Sequence, residues 1–223
     1  MLCRPLGDSA VLVEVGNRAD DETAQNVHAL TEVLLTHPFP GVVDIVPAYT
    51  TVAVHFDPVA VGQRSPLAAV QSWIERSCVD IRPVSQSGPR EWIVPVVYGG
   101  EFGPDLAWVA EHLGLSATEV IQRHAAQPYT VRAIGFSPGF PYLAGLPESL
   151  RTPRRATPRT QVPAGSVGIA GSQAGIYPQA TPGGWNILGR TGLRLFDPDR
   201  RPPALLRVGD RVRFEPVVTE SGK

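Results

Sequence analysis

GFSPGFPYLAGLPESLRTPRRATPRTQVPAGSVGIAGSQAGIYPQATPGGWNILGR, residues 135–190, holds ten Gly, eight Pro and five Arg against a single acid, Glu148. Turn residues at that density stop helices from propagating, so this part of the chain reads as short strands and corners. Glycine also lets backbone approach a ligand or another chain closely, and arginine offers a planar fork suited to carboxylate or phosphate. Two readings stay open for the stretch: the corners of a loop-rich β domain, or a surface built to bind.

Upstream of it, Glu91 to Tyr98 predicts a strand, followed by two short helices over Pro104 to Leu113 and Ser116 to Ala125, the second opened by the capping box Ser116-x-x-Glu119. Short apolar runs separated by Gly, Pro and Asp occupy Pro128 to Phe136 and Val162 to Pro216. Val212 and Phe214 alternate with Arg211, Arg213 and Glu215, as in a strand with one wet face. Residues 89–223 therefore predict a closed or nearly closed β-barrel with a helical insertion.

The first part of the chain has a different rhythm. Ser9 to Val15 alternates as a strand, and Asp20 to Leu35 follows as a helix with Ala24, Val27, Leu30 and Leu34 on one face. Val42 to Phe56 reads as two strands broken at Pro47-Ala48-Tyr49; Ser65-Pro66 caps a helix to about Cys78, and apolar residues return near Ile81 to Val84. The order β-α-β-β-α-β predicts a ferredoxin-like α/β sandwich over residues 1–88, with Ser85-Gln86-Ser87-Gly88-Pro89 as the linker. The whole chain is thus expected to be α+β.

Composition sets bounds. With 223 residues, 43% of them hydrophobic, the chain can bury a real core, and a formal charge of -1 gives no global attraction to nucleic acid or an anionic membrane. Met1 to Asp8 carries no apolar signal core and no run approaches the length of a membrane span, so a cytoplasmic location is the expectation. Cys3 and Cys78 form no CxxC and the five histidines no HExxH, so no metal site is indicated. Lys223 is the only lysine beside nineteen arginines, which removes Schiff-base chemistry and any P-loop.

Two motif matches fail on physics. Gly135-Phe136-Ser137-Pro138-Gly139 fits GxSxG, but Pro138 lacks the N–H that a nucleophile elbow uses for its oxyanion hole, and Pro141 and Gly145 prevent the helix that should follow. Leu106 to Gln122 has the spacing of a helix-turn-helix, yet the recognition helix would carry only Arg123 and His124 as basic groups. A packing pair of helices is the expectation there.

Arg151, Arg154, Arg155 and Arg159 lie in a segment stiffened by Pro153, Pro158 and Pro163, and Arg190 follows Gly189. Arg154, Arg155, Arg159, Arg190 and Tyr177 are the candidates for substrate or anion binding, with salt bridging to the barrel as the alternative. Phe136, Pro138, Phe140, Tyr142, Gly165, Ser166, Gly183, Gly184 and Trp185 are candidates for the wall of a cleft or interface, although such aromatics also serve as core. His124 ends the second of the two helices, where a cation complements the dipole.

Five runs fall in an order and spacing that resemble one family: Gly135 to Leu143, Pro153 to Arg159, Val162 to Val167, Ile176-Tyr177-Pro178 and Gly183-Gly184-Trp185. The chain resembles the KipI/PxpB family, often labelled allophanate hydrolase subunit 1, from Gly7-Asp8 through Asp57-Pro58 to Gly209-Asp210-Arg211-Val212. The resemblance implies a cyclophilin-like barrel, and a histidine just before the Tyr129 strand, which makes His124 a candidate catalytic residue facing the cleft.

By the same resemblance the chain is expected to serve as the B component of a bacterial 5-oxoprolinase, in which three proteins open the lactam of 5-oxoproline to L-glutamate with ATP hydrolysis. Its partners would be a KipA/PxpC-like subunit and a PxpA-like subunit. ATP, with Mg held mainly by a partner, is the expected cofactor, because the stretch around the candidate site offers only Glu148 and no phosphate cradle. The resemblance also leaves open an inhibitor of a sensor histidine kinase, and a subunit related to urea carboxylase or allophanate hydrolase. Allophanate hydrolysis would want a Ser-Ser-Lys arrangement, for which no usable lysine exists.

Overall fold

Asp20 decides where the first helix starts: its carboxylate accepts the Thr23 amide at 2.9 Å, satisfying one of the orphan donors of the first turn. In the computed structural model, which describes residues 1–80 and 90–218, helix α1 (Asp21–Thr36) follows this cap and buries Val27, Leu30 and Leu34. Against it lie β2 (Ala10–Glu14), β3 (Val42–Ala48) and β4 (Thr51–Phe56), paired antiparallel. Val11, Val13, Val52 and Val54 join the helix residues in one core, each contributing on the order of 1.5–3 kcal/mol by leaving water. Pro47 is tolerated inside β3 because that strand is an edge and needs no donor on its free side.

Several details differ from expectation. A further strand, β1 (Leu2–Pro5), pairs with β2, giving the order β1-β2-β4-β3. Its four residues show no alternation and end in proline, so local pattern does not announce it. A short helix α2 (Pro58–Val61) precedes α3 (Pro66–Ser77), and is capped by Asp57. Ser65 sits at the start of α3 but makes no capping bond; Pro66, with its fixed φ, sets the first turn instead. The strand expected near Ile81–Val84, and the linker after it, lie outside the described residues.

The described residues divide into two compact units, 1–80 and 90–218. The second is built on β5 (Glu91–Tyr98), β6 (Tyr129–Ile134), β7 (Pro141–Ala144), β9 (Ser166–Ala170), β10 (Gln173–Ile176), β12 (Asn186–Arg190) and β13 (Arg211–Pro216). These seven strands close a barrel in the order β10-β7-β6-β13-β5-β12-β9. A ring of seven cannot be antiparallel throughout, and β5 with β13 is the parallel pair. Asp210, just before β13, secures that seam: buried, it accepts from the Arg90 guanidinium, from Trp92 Nε1 at 3.2 Å and from the Arg207 amide at 2.9 Å.

Helices α4 (Leu106–Leu113) and α5 (Ala117–Ala125) lie between β5 and β6, with the Ser116–Glu119 capping box formed in both directions. They pack on each other through apolar faces, as a structural pair. Val212 and Phe214 point into the barrel with Val94, Val131, Leu143 and Ile169. Strands β9 and β10 are buried on nearly every residue, because a second layer covers their outer face. That layer includes the ribbon of β8 (Arg159–Val162) and β11 (Thr181–Gly183).

Candidate functional site

The site begins with a glycine. At Gly103 a Cβ would fall 1.9 Å from the Leu188 carbonyl oxygen, so only glycine lets the loop after β5 lie against β12. That approach delivers Asp105 to Ile187: the Asp105 amide donates to the Ile187 carbonyl at 3.1 Å, and the Asp105 carboxylate accepts the Ile187 amide at 2.7 Å. Although Asp105 stands at the N-terminus of α4, its side chain makes no cap bond. It turns to two guanidinium groups instead. Arg155 Nη1 donates at 2.6 Å, and Arg159 grips both oxygens from Nη1 and Nη2 at 2.8 Å each.

Arg155 and Arg159, candidates for binding an external anion, are thus brought together on an internal one. Asp105 is only 2% exposed, so the pairing compensates a carboxylate that would otherwise be costly to bury. Two cations on one anion leave the cluster one positive charge in excess. Sequence reasoning missed Asp105 because it lies 50 and 54 residues from its partners. The sole local signal is the spacing of Gly99, Gly100 and Gly103 ahead of it.

Beside this cluster Phe140, Tyr177 and Trp185 pack with Val162, Ala170 and Ile187, and Tyr142 leans on them. The Phe140 ring stands edge-on to both Tyr177 and Trp185, and Gly175 leaves room for the pair: a Cβ there would meet Phe140 at 2.8 Å and Trp185 at 3.0 Å. Gly183 lies under the Tyr177 hydroxyl, the Gly184 carbonyl accepts the Arg155 amide at 2.8 Å, and the Gly165 amide donates to the Tyr177 carbonyl at 2.7 Å. Burial pushes the Tyr177 phenol above its ordinary pKa, while a bond from the Trp185 backbone and the charge of Arg154 pull the other way. Phe140, Tyr177, Trp185 and Ser166 are buried, whereas Pro138 is exposed. Phe136 is 61% exposed and holds φ at +68°, a conformation costly for an aromatic residue, with its ring edge-on to Phe140 at 5.5 Å.

Of the other candidates, Arg154 is near enough for its charge to act on Tyr177, whereas His124 stands apart. His124 does not face the site. It is fully buried in the barrel, with Nδ1 2.8 Å from the Tyr98 hydroxyl and its ring stacked on Phe214 at 4.5 Å. Burial lowers its pKa to about 3, which keeps it neutral and unsuited to general acid or base work near neutral pH. The helix dipole invoked for a cation at this position is outweighed by desolvation. Ser137 sits in a tight turn, its amide bonded to the Gly135 carbonyl at 2.8 Å, and its hydroxyl has no hydrogen-bond partner among the described residues. Arg151 pairs at the surface with Glu148 at 2.7 Å, Arg154 is exposed, and Arg190 lies over the Phe102 ring at 5.1 Å.

A two-unit α/β chain, whose closed barrel carries an arginine-bound aspartate and an aromatic face, corresponds to a carboxyltransferase-type module. The chain belongs to the family described as the carboxyltransferase domain, subdomain C and D, whose model matches residues 1–206. It is 43% identical over 215 residues to the B component of 5-oxoprolinase from Bacillus subtilis (strain 168), covering 94% of this chain and 90% of that protein. Identity to the B component of 5-oxoprolinase from Escherichia coli O157:H7 is 45% over 214 residues, covering 96% and 95%. Among solved structures, TTHA0988 matches with a TM-score of 0.80 and 37% identity over 100% of this chain, which spans only 41% of that longer one.

Proposed function

We propose that this chain acts as the B component of an ATP-dependent 5-oxoprolinase, opening the lactam of 5-oxoproline to L-glutamate in the cytoplasm together with a KipA/PxpC-like and a PxpA-like chain, and that it is inactive alone. The observation that carries the reading is 43% and 45% identity, over nearly the whole chain, to proteins named as that component of 5-oxoprolinase. In this reading residues 1–88 form a ferredoxin-like domain and 89–223 a cyclophilin-like barrel that bears the site.

The donor set supports a shared active site. Magnesium–ATP needs oxygen ligands free to bind a hard cation. Both oxygens of Asp105 are committed to Arg155, Arg159 and Ile187, and Glu148 is bound to Arg151. Among the described residues no group of three or more His, Cys, Asp and Glu could hold a metal. These residues do not fit a magnesium site, so the metal and most of the nucleotide site fall to a partner. This chain contributes a cationic and aromatic wall, with Arg154 and Arg190 toward the substrate, Arg155 and Arg159 held by Asp105, and Tyr177 buried as support.

Omission tests the reading. In a reconstituted three-chain mixture, 5-oxoproline-dependent ADP release is expected to fall to background when this chain is left out, and this chain is expected to co-elute with the KipA/PxpC-like chain. Undiminished turnover without it contradicts the assignment.

A further inference from the structure

Arg190 closes β12 and Ser166 opens β9, and the two are register partners across that antiparallel pair. Directly paired residues point to the same face of a sheet, with Cβ atoms about 5 Å apart. Val167, next in sequence to Ser166, points into the barrel core, so Ser166 and Arg190 point outward together. Ser166 is fully buried and its Oγ has no hydrogen-bond partner; Arg190 Nε is likewise buried and unpartnered. Among the described residues the Arg190 guanidinium makes no hydrogen bond or ion pair, and only the Phe102 ring supports it.

Buried polar groups in folded proteins almost always find partners, because leaving one dry and unpaired costs free energy. Here two such groups stand on adjacent strands and face one way, and what both can offer is hydrogen-bond donors. The nearest acid cluster does not serve them, since Asp105 is filled by Arg155, Arg159 and Ile187. The Phe102 ring restrains the guanidinium from the side, which leaves its donor edges available and reduces the entropy lost on binding. The missing partner is therefore an acceptor carrying negative charge.

We propose that Arg190 and Ser166 form an oxyanion-binding subsite on the outer face of the barrel, which takes one carboxylate or phosphate group. Binding is a property of this chain by itself, so the subsite stands or fails separately from the oxoprolinase reading. The test is calorimetric titration of the purified chain with inorganic phosphate and, separately, with 5-oxoproline, alongside thermal melts with each. At least one anion is expected to bind with Kd below ~10 mM. Arg190→Gln is expected to weaken it tenfold or more, Arg190→Lys less, and Ser166→Ala about threefold to tenfold.

Ser166→Ala also removes an unsatisfied hydroxyl, so its anion-free melting temperature should equal or exceed that of the parent. This keeps the test valid if Arg190→Gln folds poorly. Binding of phosphate alone assigns a phosphoryl group, of 5-oxoproline alone a carboxylate, and of both a general oxyanion site. Arg151→Gln, at the surface pair with Glu148, is the control and should bind as the parent does. No binding of either anion to the folded parent, or binding unchanged in both Arg190→Gln and Ser166→Ala, overturns the proposal.

Discussion

Asp105 and His124 show how burial redirects residues whose sequence context suggests something else. Asp105 stands at the N-terminus of α4 but makes no cap bond there; it is a counter-ion for two arginines. Asp105→Ala should lower unfolding free energy in urea by about 3 kcal/mol, because it strands two guanidinium groups. Adding Arg159→Ala to that variant should then cost less than about 1 kcal/mol more, the limit expected once the partner charge is gone. A large additive loss would mean that Arg159 is held by something other than Asp105. His124 makes a second prediction. Its folded pKa of about 3 lies below the ordinary 6.5, so the unfolded chain takes up this proton first. The stability it confers is complete above pH 6.5 and drains as pH falls toward 3, by about 1.4 kcal/mol per unit. Between about pH 6.5 and 5 the parent should lose about 2 kcal/mol more than His124→Gln, measured by urea unfolding. Equal losses in the two proteins would show that His124 is not neutral in the folded state.

At the scale of elements, what was legible depended on how far apart the interacting residues lie. Helix α1 and the capping box of α5 are written in residues three or four apart, and both formed where local pattern put them. The alternation of β13 was equally plain. Strand β1 was not, since its identity comes from its partner β2 rather than from its own four residues. The same distance effect hid Asp105: the arginines were visible as a cationic run, but the acid that occupies two of them is contributed by the loop before α4. Glycine marked close approach at some positions only: a ring lies over Gly175 and a carbonyl beside Gly103, whereas Gly135 and Gly171 have open space, and which of these holds is a tertiary fact. The parallel seam of β5 and β13 gives a further test. Asp210 joins Arg90, Trp92 and the Arg207 amide there, so Asp210→Ala should cost about 2–3 kcal/mol, less than a fully dry pair because Arg90 is partly solvated. A melting temperature unchanged by that substitution would remove the seam from the list of stabilising features.

For the whole molecule, a free acidic pair, a lysine and a phosphate cradle are what phosphoryl transfer would ask of a self-sufficient enzyme. The barrel offers arginines, aromatic rings and an aspartate already spoken for. The TTHA0988 chain, of which this chain spans 41%, pairs the same fold with further sequence. The proposed shared active site accords with these observations, and Phe136 leaves an exposed ring on this unit. The most direct measurement is coupled ADP release with 5-oxoproline, comparing the purified chain alone, the chain with a KipA/PxpC-like partner, and the full set with a PxpA-like chain. Background rates for the lone chain and turnover only in the assembled set are predicted. Robust turnover by the lone chain, persisting through further purification, would contradict a shared active site and require a complete one within these 223 residues.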